Sequence, residues 1–189
     1  SALHGFLKAM PDYASRTVAV IGDSTFLHSG VTGLMNITYN RTPATVVIVD
    51  NNITGMTGHQ DNPATGKTLK GEDVTPVSLE KICEGAGVSP SHIRVVPASD
   101  TAAFEAALRE ELASPEPSVI IARQPCALLK TVKRGDPVTV DTGKCKGCRA
   151  CMAVACPCIS MTDGKAQIDA ALCTGCGLCA GLCRFGAID

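Results

Sequence analysis

Four short runs of apolar, mostly β-branched residues recur along the first two thirds of the chain. They cover residues 17–21, 45–49, 93–96 and 118–121. Within each run the apolar residues are consecutive instead of alternating with polar ones. This pattern is typical of parallel strands that helices cover on both faces.

Helical patterns lie between the apolar runs, and the clearest covers residues 99–113. Ser99 and Asp100 offer N-terminal capping side chains to this helix. Four apolar residues then recur at helical spacing on one face, namely Ala102, Phe104, Ala107 and Leu108. Because strands alternate with helices, residues 1–125 are expected to form an α/β domain with a doubly wound parallel sheet.

One stretch of the first domain, residues 51–77, follows neither period. It contains four glycines and two prolines. A loop of this length in a compact domain is usually functional or disordered. It follows the second predicted strand, and open α/β sheets bind ligands at the carboxyl ends of their strands. We therefore expect a ligand-binding loop here.

The C-terminal third of the chain is set apart by its cysteines. Eleven cysteines occur in 189 residues, and nine of them lie between Cys145 and Cys183. An odd number concentrated at one end does not fit a secreted disulfide framework, and it predicts metal ligation in a reducing cytoplasm. Residues 126–140 contain turn residues and are expected to be a connector, which leaves residues 141–189 as a small α+β second domain.

The cysteines form an internal repeat. Two triplets with the spacing C-x2-C-x2-C begin at Cys145 and Cys173, and a fourth cysteine follows each triplet, Cys156 and Cys183. In two-cluster ferredoxins the fourth cysteine of each run binds the cluster of the other run. This predicts two 4Fe–4S clusters with interlocked ligands. One cluster takes Cys145, Cys148, Cys151 and Cys183, and the other takes Cys156, Cys173, Cys176 and Cys179.

Two alternatives remain open for the cysteines. Paired C-x2-C motifs also bind structural zinc, although zinc sites rarely add a third cysteine at the sixth position in both halves. Cys158 is an alternative ligand to Cys156, which we favour because Pro157 follows it. Cys83 and Cys126 lie in apolar segments and are expected to be buried thiols.

Polar residues follow the first two predicted strands. The first strand ends in Gly22-Asp23-Ser24-Thr25 and the second in Asp50-Asn51-Asn52. This layout resembles that of thiamine diphosphate enzymes. It implies that the Asp23 carboxylate, the Asn51 amide oxygen and the Ile53 carbonyl bind Mg²⁺ together with the cofactor's diphosphate. A helix beginning after Thr25 would add N–H donors for the anion.

Together with the cysteine runs, the motifs of residues 22–29 and 51–60 resemble those of the 2-oxoacid:ferredoxin oxidoreductases, and in particular the alpha subunits of the indolepyruvate type. The resemblance implies a thiamine diphosphate-binding fold followed by a two-cluster ferredoxin domain. It also implies eleven cofactor-binding residues, which are Gly22, Asp23, Ser24, Thr25, Asn51, Asn52, Ile53, Thr54, Gly55, Met56 and Thr57.

The resemblance implies oxidative decarboxylation of a 2-oxoacid with coenzyme A, with electrons passed through both clusters to ferredoxin. Alternatives are pyruvate or a branched-chain 2-oxoacid as substrate, or an electron-transfer subunit without catalysis. The pyrimidine-binding domain of the family is not recognisable in this sequence. We therefore expect the chain to be truncated relative to the family, to need that domain and a second subunit, and to be incomplete as an isolated enzyme.

The net charge and the histidines indicate less about function than the motifs do. The net charge is −1 and no apolar run could span a membrane, so neither a nucleic-acid nor a membrane partner is expected. His59, in the predicted cofactor loop, and His28 are the candidate catalytic residues. The cations Lys144, Lys146 and Arg149 flank the first cysteine triplet, as either a solvated surface or a docking patch for an acidic electron carrier.

Overall fold

The structure is a computed structural model that describes residues 2–189. The chain divides into two compact units between Cys126 and Ala127. None of the helices in the part of the chain that is described has the length and apolar character needed to cross a bilayer.

The first unit contains a four-stranded parallel sheet, as predicted. Its strands are β1 (Val18–Gly22), β2 (Thr45–Asp50), β3 (Ile93–Pro97) and β4 (Ser118–Arg123), and their order in the sheet is β1-β2-β4-β3. β2 and β4 occupy the centre and are the most buried, which explains their unbroken apolar sequences.

Helices cover both faces of this sheet. One face packs against α1 (Ala2–Ala9), α3 (Val31–Tyr39) and α4 (Leu79–Gly85), and the other packs against α5 (Thr101–Ala113). Asp100 caps α5 as predicted, with its Oδ1 accepting from the Ala103 nitrogen at 2.9 Å. The expected apolar face of α5 is confirmed except at Ala102, which is exposed because a residue two positions before Phe104 lies about 200° around the helix from it.

A continuous helix over residues 23–39 follows β1 directly. It comprises α2 (Asp23–Thr25), a π-helical turn (Phe26–Gly30) and α3. The helix therefore begins at Asp23 and not after Thr25, since Gly22 is extended and already serves as the N-cap. Asp23 and Ser24 consequently lie in the first helical turn.

The stretch over residues 51–77 is irregular, as predicted. Its internal order comes from two isolated antiparallel bridges, Thr54 with Gln60 and Lys67 with Asp73. α4 begins directly after it, where the Ser78 side chain accepts a hydrogen bond from the Lys81 nitrogen at 3.2 Å. A short 3₁₀ turn (Pro90–His92) then leads into β3.

The second unit contains a hairpin of β5 (Ile159–Thr162) and β6 (Lys165–Ile168), a 3₁₀ turn (Ala150–Val154) and the short helix α6 (Leu178–Gly181). Residues 127–140 belong to this unit, although a separate connector was expected. Val138 and Val140 pack on its core, and Thr139 exchanges backbone hydrogen bonds with Asp189. These contacts explain the difference, since Val138 and Val140 are partly buried against the cysteine core.

Candidate functional site

Two carboxylates lie at the carboxyl ends of neighbouring strands. Asp23 follows β1 and is 3% exposed, and Asp50 ends β2 and is 6% exposed. Asp50 is paired, since Arg123 Nε donates to its Oδ2 at 2.6 Å. Asp23 takes part in none of the ion pairs formed among residues 2–189. A buried carboxylate without a cationic partner fits a metal ion.

The pKa of Asp23 reflects this environment. Burial raises it, hydrogen bonds from the Ser24 nitrogen and the Asn62 side chain lower it by less, and the neighbouring Asp50 raises it further. Arg123 limits that repulsion because it neutralises Asp50. A divalent cation bound to Asp23 would replace the lost hydration of the carboxylate.

The loop after β2 is held in a turn by its own polar groups. Asn51 Oδ1 accepts from the Ile53 nitrogen at 3.2 Å, and the Asn51 carbonyl accepts from the Cys126 nitrogen at 2.9 Å. Asn52 has a φ of +57°, and its backbone N–H donates a hydrogen bond to Asp50 Oδ1 at 3.1 Å. The amide oxygen of Asn51 keeps a second lone pair, so this local turn leaves it able to bind a cation.

Asn62 is a site residue that the sequence analysis missed. Its side chain is buried, and Nδ2 donates to Asp23 Oδ2 at 3.3 Å and lies 3.4 Å from Thr54 Oγ1. Thr54 in turn donates to Ser24 Oγ at 2.9 Å. The long loop is therefore tied to the end of β1 at two points. The Asn-Pro pair in the sequence signalled a turn but not this contact.

We expect Asn62→Ala to weaken Mg²⁺-dependent binding of thiamine diphosphate roughly 10-fold or more, as loss of a hydrogen bond to a charged group costs about 1.5–3 kcal/mol. The reason is that Asp23 loses the donor that orients its Oδ2. Titration calorimetry with and without Mg²⁺ measures the effect. Asp61→Ala, a change at the exposed neighbouring residue, is the control that should bind as wild type. Unchanged affinity in Asn62→Ala would show that the contact does not support the site.

The remaining predicted residues lie at the rim of this site. Gly55 is half-buried, while Met56 and Thr57 are exposed in the turn that the bridge between Thr54 and Gln60 closes. His59 is exposed in the same turn with a φ of +62°, and His28 is exposed on the π-helical turn. Neither histidine joins the buried hydrogen bonds around Asp23, and their catalytic roles stay predictions.

The cysteines of the second unit fall into two groups. Four of them line one cavity together with Met161, Phe185 and Ile188, and these four are Cys145, Cys148, Cys151 and Cys183. Peptide nitrogens point at two of the sulfurs, Ala166 N at 3.5 Å from Cys145 Sγ and Ala187 N at 3.3 Å from Cys183 Sγ. The hydrogen bond from Ala166 lowers the pKa of Cys145, which favours the thiolate that binds metal.

The second group surrounds Cys173 and Cys179. The Gly175 nitrogen donates to Cys173 Sγ at 3.4 Å and lowers the pKa of that thiol. Burial, and then the nearby Cys176 and Cys173, raise the pKa of Cys179. Among residues 2–189, no three His, Cys, Asp or Glu side chains converge closely enough to share a single ion.

The same pair of backbone conformations recurs in both cysteine runs. Gly147 and Gly175 have φ values of +66° and +69°, and the residues two further on, Arg149 and Gly177, have +63° and +72°. This left-handed backbone turns each loop tightly, with the first and third cysteines of each triplet buried and the middle one exposed. The duplicated fold of the loops fits the duplicated sequence.

Two family models match separate stretches of the chain. Residues 1–122 match the model described as thiamine pyrophosphate enzyme, C-terminal TPP binding domain. Residues 166–189 match a 4Fe-4S binding domain. Among solved structures, a 2-oxoglutarate:ferredoxin oxidoreductase from Magnetococcus marinus has a TM-score of 0.58 and 16% identity over 69% of this chain and 46% of its own, which shows a shared fold.

Curated relatives extend the similarity over both units. The indolepyruvate oxidoreductase subunit IorA of Archaeoglobus fulgidus is 40% identical over 92% of this chain, and that of Methanothermobacter marburgensis is 38% identical over 93%. The chain spans 28% of the length of each. These comparisons confirm the resemblance predicted from the motifs, and the chain belongs to the thiamine pyrophosphate enzyme family.

Proposed function

We propose that this chain provides the diphosphate–Mg²⁺ site and two 4Fe–4S clusters of a 2-oxoacid:ferredoxin oxidoreductase of the indolepyruvate type. The observation that carries the proposal is the buried Asp23, which forms no ion pair within residues 2–189 and is hydrogen-bonded to the loop after β2, in one chain with two groups of cysteines. The 38–40% identity to IorA subunits over both units supports the substrate class.

The proposed role of the first unit is to bind and orient the cofactor. Asp23, the Asn51 side chain and the Ile53 carbonyl would hold Mg²⁺, and Asn62 and Thr54 would keep Asp23 and Ser24 in place. Peptide N–H groups at the start of the helix over residues 23–39 would face the diphosphate. Bound thiamine diphosphate supplies the electron sink for decarboxylation of the 2-oxoacid.

The proposed role of the second unit is to carry single electrons. Cys145, Cys148, Cys151 and Cys183 would bind one cluster, and Cys173, Cys176, Cys179 and Cys156 the other. Exposed Lys146 and Arg149 flank the exposed Cys148, so an acidic ferredoxin could approach the first cluster with favourable charge. Coenzyme A, a second subunit and a pyrimidine-binding domain complete the proposed enzyme.

Elemental analysis and cofactor binding test this proposal. The anaerobically reconstituted chain should hold about eight iron and eight labile sulfide, because two cubanes require that number. It should also bind thiamine diphosphate only when Mg²⁺ is present. About two zinc with no sulfide would contradict the cluster assignment. Full iron content without cofactor binding would favour an electron-transfer subunit instead.

A further inference from the structure

The second unit contains one more cysteine than two clusters can use. Nine cysteines lie between Cys145 and Cys183, whereas two cubanes take about eight thiolates. The surplus falls on Cys156 or Cys158, which only Pro157 separates. The other seven are those of the two C-x2-C-x2-C triplets together with Cys183.

The thiols of Cys156 and Cys158 are close enough together to serve the same iron. Cys156 Sγ and Cys158 Sγ lie 3.1 Å apart. Cysteines that bind one cubane each take a different iron, so two sulfurs this close compete for one iron and do not bind two. Because the two sulfurs are so close, a side-chain rotation would be enough to exchange them at that iron.

Cys158 is also built into the wall of the second cluster site. It is 6% exposed, and its neighbours are Cys156 and Cys173, the first cysteine of the second triplet. Its carbonyl accepts a hydrogen bond from the Asp169 nitrogen at 2.8 Å, which fixes the backbone of Cys158 beside that triplet. Cys156 is more exposed than Cys158. The buried thiol of Cys158 lies next to the proposed ligand Cys173 and is therefore in a position to bind iron.

We propose that the fourth ligand of the second cluster is interchangeable between Cys156 and Cys158, an inference that rests on the proposed cluster assignment. In the exchange the iron–sulfur bond to one cysteine breaks and the bond to the other forms. The proton of the incoming thiol passes to the released thiolate, so no electrons are gained or lost. The thiol that is not bound donates an S–H hydrogen bond to the bound sulfur, one of the influences that set cluster potentials.

The experiment compares single and double variants of the full chain after anaerobic reconstitution. Cys156→Ala and Cys158→Ala should each keep about eight iron and two reducible clusters, and the double variant should fall to about seven iron or fewer. The oxidised double variant should show the electron paramagnetic resonance signal of a three-iron cluster. Cys179→Ala, which has no substitute thiol, should resemble the double variant, and Cys126→Ala, outside the second unit, should resemble wild type.

Several outcomes would overturn the proposal. Iron loss in only one single variant would identify that cysteine as the sole ligand. Iron loss in both would show that both are needed, and full iron in the double variant would place the ligand elsewhere. Cys156→Ser and melting curves of every variant separate misfolding from ligand loss. If wild type itself failed to take up about eight iron, the cluster assignment and not ligand exchange would be at fault.

Discussion

Asp23→Asn is expected to abolish Mg²⁺-dependent binding of thiamine diphosphate. The dissociation constant should rise roughly 100-fold or more, which corresponds to about 2.8 kcal/mol. Asn keeps the shape of Asp23 and can still contact Asn62, so the change removes only the negative charge that a divalent cation requires. Calorimetric titrations with Mg²⁺ held constant measure the loss. Binding within a few-fold of wild type would mean that Asp23 is not a ligand of the metal.

The same substitution should stabilise the unliganded protein. Burial raises the pKa of Asp23, so the folded chain binds this proton more tightly than the unfolded chain does. Above the raised pKa, the ionised carboxylate therefore lowers the free energy of unfolding. Asn cannot ionise, so the variant should melt at a higher temperature than wild type at neutral pH. This difference in melting temperature should shrink as the pH falls through the raised pKa of Asp23. It should disappear below the usual pKa of an Asp side chain.

Asp50→Asn is the matched control, because Asp50 is equally buried but paired with Arg123. Its loss removes one of the two carboxylates that pair with Arg123, the other being Glu80 at 2.8 Å, and should lower stability by about 1–3 kcal/mol. The two substitutions at adjacent strand ends should thus change the melting temperature in opposite directions. The same direction for both would contradict the assignment of Asp23 as the carboxylate left free for a cation.

Gly175→Ala is expected to eliminate the second cluster, with iron falling from about eight to about four per chain. Gly175 has a φ of +69°, and a Cβ there would lie 2.5 Å from the Asp136 carbonyl oxygen and 2.7 Å from the Gly135 Cα. Backbone atoms cannot move aside as flexible side chains do, so the Cys173–Cys176 loop must shift. That shift also breaks the hydrogen bond from the Gly175 nitrogen to Cys173 Sγ.

Gly177→Ala separates the steric effect from the cost of the left-handed backbone. Gly177 has a φ of +72° but nothing within 4 Å of the added Cβ. Arg149 at the corresponding position of the first run shows that a side chain fits there. This control should lose about 1–2 kcal/mol of stability and keep both clusters. Iron and sulfide analysis measures the cluster content of both variants. Equal iron loss in both would rule out the clash of the Cβ added at Gly175 as the cause.

Local sequence patterns were sufficient to predict the strands, a helix over residues 99–113 and the irregular loop. These features depend on local properties: runs of β-branched residues, the Asp100 cap, and glycines and prolines without periodicity. The spacing of the cysteines likewise depends only on nearby residues, and so does the position of Asp23 and Asn51 directly after two strands. Each of these patterns is complete within a few tens of residues, so recognising it requires no knowledge of the tertiary fold.

The partners of the polar groups, in contrast, depend on how the chain folds. Asn62 reaches Asp23 across 39 residues, and Arg123 reaches Asp50 across 73. Whether a buried carboxylate is paired or free depends on contacts that no local pattern encodes, and this difference separates the proposed metal ligand from its neighbour. Likewise, Pro157 favoured Cys156 as a ligand, but only the structure brings Cys158 next to Cys173 and within 3.1 Å of Cys156.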